Sequence, residues 1–319
     1  MLENVDVRLL PYSWLGFDRS VLVDKAMADM KHLESVSNEK VTLFYKNLDW
    51  DTKFFRAKSG EIPMVIPTAD ATIHDRVDAL RTFEARTDYE FTTLRVNAHD
   101  LATAQAAQQR GYFITDIHTS YFFDKRRQSS EQLPSQYLGT SRVYKCPYSG
   151  KSLMALAQSV FSTDFAHRFH NDPNIPKEKA DELYVLLTLH CLEEHSSVIV
   201  VEYDGNPVGF LTLQEHADEI GGVTVGKFGM AGVAPEARGK QIYQNMILQG
   251  LHLMRDDVVE TTNTGIVNPV QRAWMNLKFK PAYVKLTMHK WKGEVKMRKQ
   301  KQRKKEPEEE EPVNHCALL

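Results

Sequence analysis

The stretch Val233-Ala-Pro-Glu-Ala-Arg-Gly-Lys-Gln-Ile-Tyr243 constrains this chain more than any other. The run before it, Lys227-Phe-Gly-Met-Ala-Gly232, reads as a strand. After it, Ile242, Met246, Ile247, Leu251 and Met254 recur at helical spacing. The order is strand, tight basic loop, helix, which is a step of an α/β fold. The first amides of a helix lack internal partners and carry positive partial charge, so this corner, with Arg238 and Lys240 beside it, suits a pyrophosphate. The same residues would also make a plain surface connection with two solvated cations, and the local pattern does not choose between the two.

At 319 residues the chain is long enough for two domains, or for one large domain and a tail. Its formal net charge of -2 gives no global pull toward nucleic acid or a membrane. No apolar run approaches the roughly 18 to 20 residues that cross a bilayer. The first twenty residues lack a basic segment ahead of an apolar one, so no signal peptide is expected. Cys146, Cys191 and Cys316 are too few and too scattered for a disulfide framework, which makes a reducing cytoplasm the default.

Three parts are expected. Residues 1–136 alternate helix-like and strand-like stretches and close on a polar linker, Asp124-Lys-Arg-Arg-Gln-Ser-Ser-Glu-Gln-Leu-Pro-Ser-Gln136. Residues 137–292 hold the clearest strands. Val198–Tyr203 and Val208–Leu213 flank Asp204-Gly-Asn-Pro207 as a hairpin, and strands are also read at 228–233 and 258–262. Residues 293–319 form a Lys/Arg run, then a Glu run, with too little apolar content to pack.

Other patterns have bland readings. Gly221-Gly-Val-Thr-Val-Gly-Lys227 has P-loop spacing, but Phe228 stands where a Ser or Thr would ligate Mg²⁺, and a strand follows rather than a helix. A Gly-rich strand connection is the better account. His167, His170, His190 and His195 lack the Cys or carboxylate spacing of a familiar ligand set, so no metal is expected. Asn268-Pro269 starts a helix as N-cap and first-turn Pro. Glu215 and His216, just past the Val208–Leu213 run, are candidate general bases or plain exposed hairpin-end charges.

The basic loop resembles motif A of the GNAT acyltransferase superfamily, V-x-P-x-x-R-G-x-G-x-G, with Gln241 and Tyr243 at positions the family usually fills with small residues. Further stretches resemble its dTDP-fucosamine N-acetyltransferase-like branch: Leu48-Asp-Trp-Asp-Thr-Lys-Phe-Phe55, Leu94-Arg-Val96, Ala107-Gln-Gln-Arg-Gly-Tyr112, Arg168-Phe-His-Asn-Asp-Pro173 and Ala180-Asp-Glu-Leu-Tyr184. The family's helix ending in L-x-x-x-G-F is similar to segments near both 110 and 278. The resemblance therefore implies an α/β fold of mixed sheet flanked by helices, with a degenerate GNAT-like unit ahead of a complete one.

It also implies acetyl-CoA, or another acyl-CoA, as cosubstrate and a primary amine as acceptor, a sugar nucleotide by analogy. Backbone groups of Ala231 and Val233 would bind the pantetheine. Arg238, Gly239, Lys240, Gln241, Ile242 and Tyr243 would hold the pyrophosphate, and Asn268 would touch the pantetheine arm. Trp274 stands where many relatives carry the Tyr that protonates the departing thiolate, and indole N–H is no usable acid. Tyr243, Tyr283 and His289 are the candidate substitutes, with Glu215 as candidate base. The rival readings are a catalytically silent CoA-binding or interaction module and a membrane-anchored enzyme acting on host protein or lipid amines. The second rests on Cys316-Ala-Leu-Leu319, a C-a-a-X end that would be prenylated only in a eukaryotic cell and would there add a membrane surface as partner.

Overall fold

The computed structural model describes residues 5–128, 141–148, 151–162, 167–264 and 269–293. After two short 3-10 turns the chain runs α1 (Arg19–Met30), β1 (Glu34–Ser37), β2 (Val41–Asn47), α2 (Asp49–Phe55), β3 (Ser59–Pro67), α3 (Ile73–Arg86), β4 (Phe91–Asn97), α4 (Leu101–Gln109) and β5 (Phe113–Asp124). It continues with β6 (Ser141–Lys145), α5 (Lys151–Phe161), α6 (Lys177–Glu194), β7 (Ser197–Tyr203), β8 (Asn206–Ile220), β9 (Val223–Val233), α7 (Ile242–Leu253), β10 (Val258–Thr264), α8 (Pro269–Asn276) and β11 (Lys280–Trp291). The fold is α/β, a mixed sheet flanked by helices.

The eleven strands of the described residues join one sheet in the order β1-β2-β3-β4-β11-β5-β10-β9-β8-β7-β6. Each half contributes one parallel pair, β3 with β4 and β9 with β10, and every other ladder is antiparallel. The order at the middle is the unexpected feature. If each half kept its own last strand, β5 would lie on β4 and β11 on β10. Instead β11 pairs with β4, β5 pairs with β10, and the two antiparallel strands pair with each other between them. The halves have exchanged their final strands.

Packing follows the exchange. Met288 of β11 is fully buried in the N-terminal cluster with Leu43, Ile62, Leu80 and Leu94, under α3 and α4. Tyr121 and Phe123 of β5 belong to the cluster of Phe210, Met246, Ile247 and Trp274. Burying one such side chain stabilises by roughly 1.5–3 kcal/mol, so each core is completed by the other half's strand. A third cluster places Leu22 and Ala26 of α1 against Phe44, Phe122, Val225 and Val258, bridging both halves.

The two exchanged strands start alike. After α4, Gly111 has φ +82 and the Tyr112 amide donates to the Ala107 carbonyl at 3.0 Å. After α8, Lys278 has φ +66 and the Phe279 amide donates to the Trp274 carbonyl at 2.9 Å. Both are left-handed helix ends with the amide-to-carbonyl bond of a Schellman cap. Glycine takes that conformation freely and lysine does not. The hairpin expected at residues 204–207 joins β7 to β8, with Asp204 and Gly205 both at positive φ, as a two-residue primed turn requires.

Candidate functional site

Between β9 and α7 the chain makes a short turn, Pro235–Ala237, and then runs exposed from Arg238 to Gln241. Gln241 is the residue before the helix and sits at φ +59, where a glycine would be unstrained, and no side chain caps the helix. The amides of residues 239–244 have no acceptor among the described residues. Arg238 and Lys240 flank this row of donors, the Arg238 side chain leaning weakly on the Val233 carbonyl at 3.4 Å and the Lys240 ammonium 5.5 Å above the Tyr203 ring. Orphan amides, a helix N-terminus and two cations form a cradle that fits a pyrophosphate.

The corresponding step of the N-terminal half is closed. Thr72 and Asp75 cap α3 reciprocally: the Thr72 hydroxyl accepts from the Asp75 amide at 3.2 Å, and the Asp75 carboxylate accepts from the Thr72 amide at 2.7 Å. The Thr72 hydroxyl and amide also hold the Asp75 carboxyl below its ordinary pKa, so an anion already occupies that helix end.

Parallel pairing of β9 with β10 stops at Lys227 and Glu260. Beyond that point β9 continues along β8, and β10 along β5, so the two strands diverge. A cavity of about 150 Å³ at the divergence is lined by Lys227, Phe228, Glu260, Thr261, Thr262 and Tyr283. It adjoins a larger one of about 350 Å³ that shares Lys227, Glu260 and Tyr283 and reaches Arg95 and Lys285. Residues 9–14 form one wall of the larger cavity. That segment is tied down by the Tyr12 hydroxyl on Asp218 (2.6 Å), by Trp14 packed on Phe122 with ring centres 4.2 Å apart, and by Asn97 Nδ2 on the Arg8 carbonyl (3.0 Å).

Of the candidate catalytic residues, Tyr283 alone lines these cavities. Its hydroxyl donates to Glu260 Oε1 at 2.8 Å, and burial, reinforced by the Glu260 charge, raises the phenol's pKa. Glu260 is a buried carboxylate in mid-strand that sequence reasoning passed over. The available signal was an acidic residue inside the apolar run Val258-Val-Glu-Thr-Thr262. Tyr243 lies elsewhere: its hydroxyl accepts from the Trp274 indole N–H at 3.0 Å, and burial raises its pKa. Trp274 is buried at 2% exposure, with its ring 5.3 Å from Tyr121.

Glu215 and His216 are not past the end of a strand. β8 runs on to Ile220, and both residues sit in an irregular stretch where pairing slips from Gln214–Lys227 to Asp218–Val225. The Glu215 amide donates to Ser196 Oγ at 2.9 Å, and neither residue lines either cavity. His289 is fully buried, its Nδ1 2.8 Å from Asp172 Oδ2, and burial lowers its pKa to about 4. It is a neutral core histidine and not a proton donor to the cavities.

Ala231 and Val233 pair with Leu211 and Gly209 on the way into the basic loop. Gly221 and Gly222, both at positive φ, form the β8–β9 turn, and Lys227 lies inside β9, so the P-loop spacing is a strand connection. Among the described residues no group of three or more His, Cys, Asp or Glu could hold a metal, and no helix is long and apolar enough to cross a membrane. Asn268, Cys316, the boundary expected near 136 and the tail after 293 lie outside the described residues.

Residues 161–273 match the model of the acetyltransferase (GNAT) family. The chain is similar to the spore coat polysaccharide biosynthesis protein SpsD of Bacillus subtilis, 22% identical over 184 residues. That match spans 56% of this chain and 59% of the relative's length. A solved structure of a functionally unknown conserved protein from Staphylococcus epidermidis superposes with a TM-score of 0.53 at 10% identity, covering 83% of this chain and 97% of that one. A tandem GNAT protein from the clavulanic acid biosynthesis pathway gives a TM-score of 0.48 at 15% identity over 79% of each chain. The family match thus places a GNAT-family segment at residues 161–273, within the half that carries the open start of α7.

Proposed function

We propose that the protein is an acyl-CoA-dependent N-acyltransferase that moves an acetyl group onto a primary amine, and that the amine belongs to a sugar carried as a nucleotide. The reading includes two GNAT-like units, 1–136 and 137–292, of which the second is active. The observation that carries it is the uncapped start of α7, with its row of free amides, beside the divergence of β9 and β10. The Bacillus relative's name, which speaks of polysaccharide biosynthesis, supports a sugar as the acceptor's carrier.

In this reading Arg238 and the amides from Gly239 to Tyr243 hold the pyrophosphate, and the pantetheine runs along Ala231 and Val233 toward the divergence. The acyl carbon then lies beside Glu260 and Tyr283. Glu260 takes a proton from the acceptor ammonium, directly or through water. The free amine attacks the thioester carbonyl, the C–N bond forms, the attacking nitrogen releases its second proton to solvent, and the C–S bond breaks. Tyr283 gives its proton to the departing thiolate and regains one from Glu260 along their hydrogen bond. The raised pKa of the phenol keeps it protonated at neutral pH.

Isothermal titration with acetyl-CoA tests the reading. The wild type is expected to bind, and Arg238→Glu to weaken binding about tenfold or more, which is the ~1.4 kcal/mol scale of a charge-assisted contact. A wild type that takes up no acetyl-CoA at millimolar ligand overturns it.

A further inference from the structure

The larger cavity holds two cations that the acyl-transfer reading does not use. Four carboxylates line it, and each is already engaged. Glu260 accepts from Tyr283 (2.8 Å), Asp218 pairs with Lys25 (2.6 Å), Asp29 pairs with the same lysine (2.5 Å), and Asp100 pairs with Arg76 (3.3 Å). Four cations also line it, and only two are engaged. Arg95 binds Glu61 (3.1 Å) and Thr287 (2.8 Å), and Lys46 binds Glu61 (3.3 Å). The ammonium groups of Lys227 and Lys285 make no hydrogen bond or ion pair among the described residues. The Lys285 ammonium lies 4.9 Å over the Tyr283 ring, and burial together with Arg95 lowers its pKa, an effect that Glu260 partly offsets. A half-buried cation that makes no contact ion pair is costly, even with Glu260 and Glu61 nearby, and a bound anion lowers that cost.

The two lysines also sit close to the reacting groups. Lys227 is the cross-strand partner of Glu260, and Lys285 is two residues beyond Tyr283 on β11 and so shares its face. We infer that Lys227 and Lys285 form an anion subsite for the acceptor, so that the acceptor carries a carboxylate or phosphoryl group close to its amine. This rests on the acyltransferase reading above and narrows its substrate class. The amine faces Glu260, the anion faces the lysine pair, and a neutral amino sugar leaves both ammonium groups unmatched.

The subsite is tested by binding, apart from turnover. The wild type is first saturated with CoA, which fills the Arg238 loop, and is then titrated calorimetrically with glucose 6-phosphate in one arm and glucuronate in the other. Millimolar binding of at least one is expected, and the stronger arm tells phosphoryl from carboxylate. Lys285→Met combined with Lys227→Met should weaken it tenfold or more, and Lys285→Arg should retain it. CoA-loaded protein that binds neither ligand, or a double variant that binds as the wild type does, overturns the inference. Failure of CoA itself to bind is the separate failure of the acyltransferase reading. In that case Arg238→Glu protein titrated with the same two ligands still reports on the lysine pair.

Discussion

The helices α3 and α7 occupy the same step in the two halves, each following the strand that forms its half's parallel pair. At α3 a five-residue connection ends in Thr72, whose hydroxyl takes the Asp75 amide while the Asp75 carboxylate, in the first turn, takes the Thr72 amide and leaves a negative charge at the helix start. At α7 an eight-residue connection ends in Arg238, Gly239, Lys240 and Gln241, which consume none and leave positive charge beside them. The backbone plan is shared, and the chemistry of a few residues before each helix decides which half can meet an anion. A repeated fold therefore carries no promise of a repeated site.

The difference between the halves can be pressed hardest at the carboxylate. The register places Thr93 of β4 in the N-terminal half much as Glu260 lies in β10. Glu260→Gln should lower kcat for acetyl transfer by roughly a hundredfold or more, the range of general acid–base catalysis, while acetyl-CoA affinity measured by calorimetry stays within about twofold. Tyr283→Phe should fall in the same direction and flatten the alkaline limb of the pH–rate profile, because the phenol whose ionisation would set that limb is gone. An unchanged kcat in both variants would return the proton transfers to solvent.

A second test concerns the exchanged strand. His289 of β11 packs on Phe91 of the N-terminal half and binds Asp172 of the C-terminal half. Burial holds its pKa near 4, with the Asp172 hydrogen bond opposing part of the shift. The unfolded chain takes up that proton near pH 6.5, so acid favours unfolding. Stability should be fully present above about pH 6.5 and fall by up to ~3 kcal/mol as the pH drops to 4. Urea midpoints across that window measure the slope, and His289→Gln should flatten it.

Smaller effects separate the caps. Thr72→Ala should cost about 1 kcal/mol of stability, as lost N-caps do, and leave acetyl-CoA binding untouched, opposite to the pattern expected of Arg238→Glu. A loss of acetyl-CoA affinity in Thr72→Ala would mean that the two helix ends are not functionally distinct. Least of all, Lys278→Gly should raise the thermal midpoint, by roughly 0.5–1 kcal/mol of stability, because it relieves the left-handed strain that Gly111 avoids in the first half.

Much of this molecule was legible before folding was considered. The strand, basic loop and helix at 227–254, the hairpin around Asp204-Gly205 and the repeated helix ends near 111 and 278 are local patterns with local causes. Other features were not legible, each for a physical reason. The polar run Gln214–Glu219 hides a strand because a slip in register takes its side chains out of alternation. Glu260 drew no notice because a single carboxylate in a strand is informative only once its partner, Tyr283, is known. The exchange of β5 and β11 leaves no local trace, since either strand would satisfy the same backbone bonds against either neighbour. Tyr243 and Trp274 could be named from the sequence as residues of interest, but that they bond to each other could not.

The crossed strands have a consequence for inheritance. Each half of the gene encodes a piece of the other half's core, with Met288 in one direction and Tyr121 and Phe123 in the other. Where two halves of a chain fold separately, either can be lost by deletion without touching the other's core. Here a deletion that removed the capped, anion-closed half would also remove the strand beside β10, on which Glu260 stands. The half without the open helix end is thus retained by the half that has it.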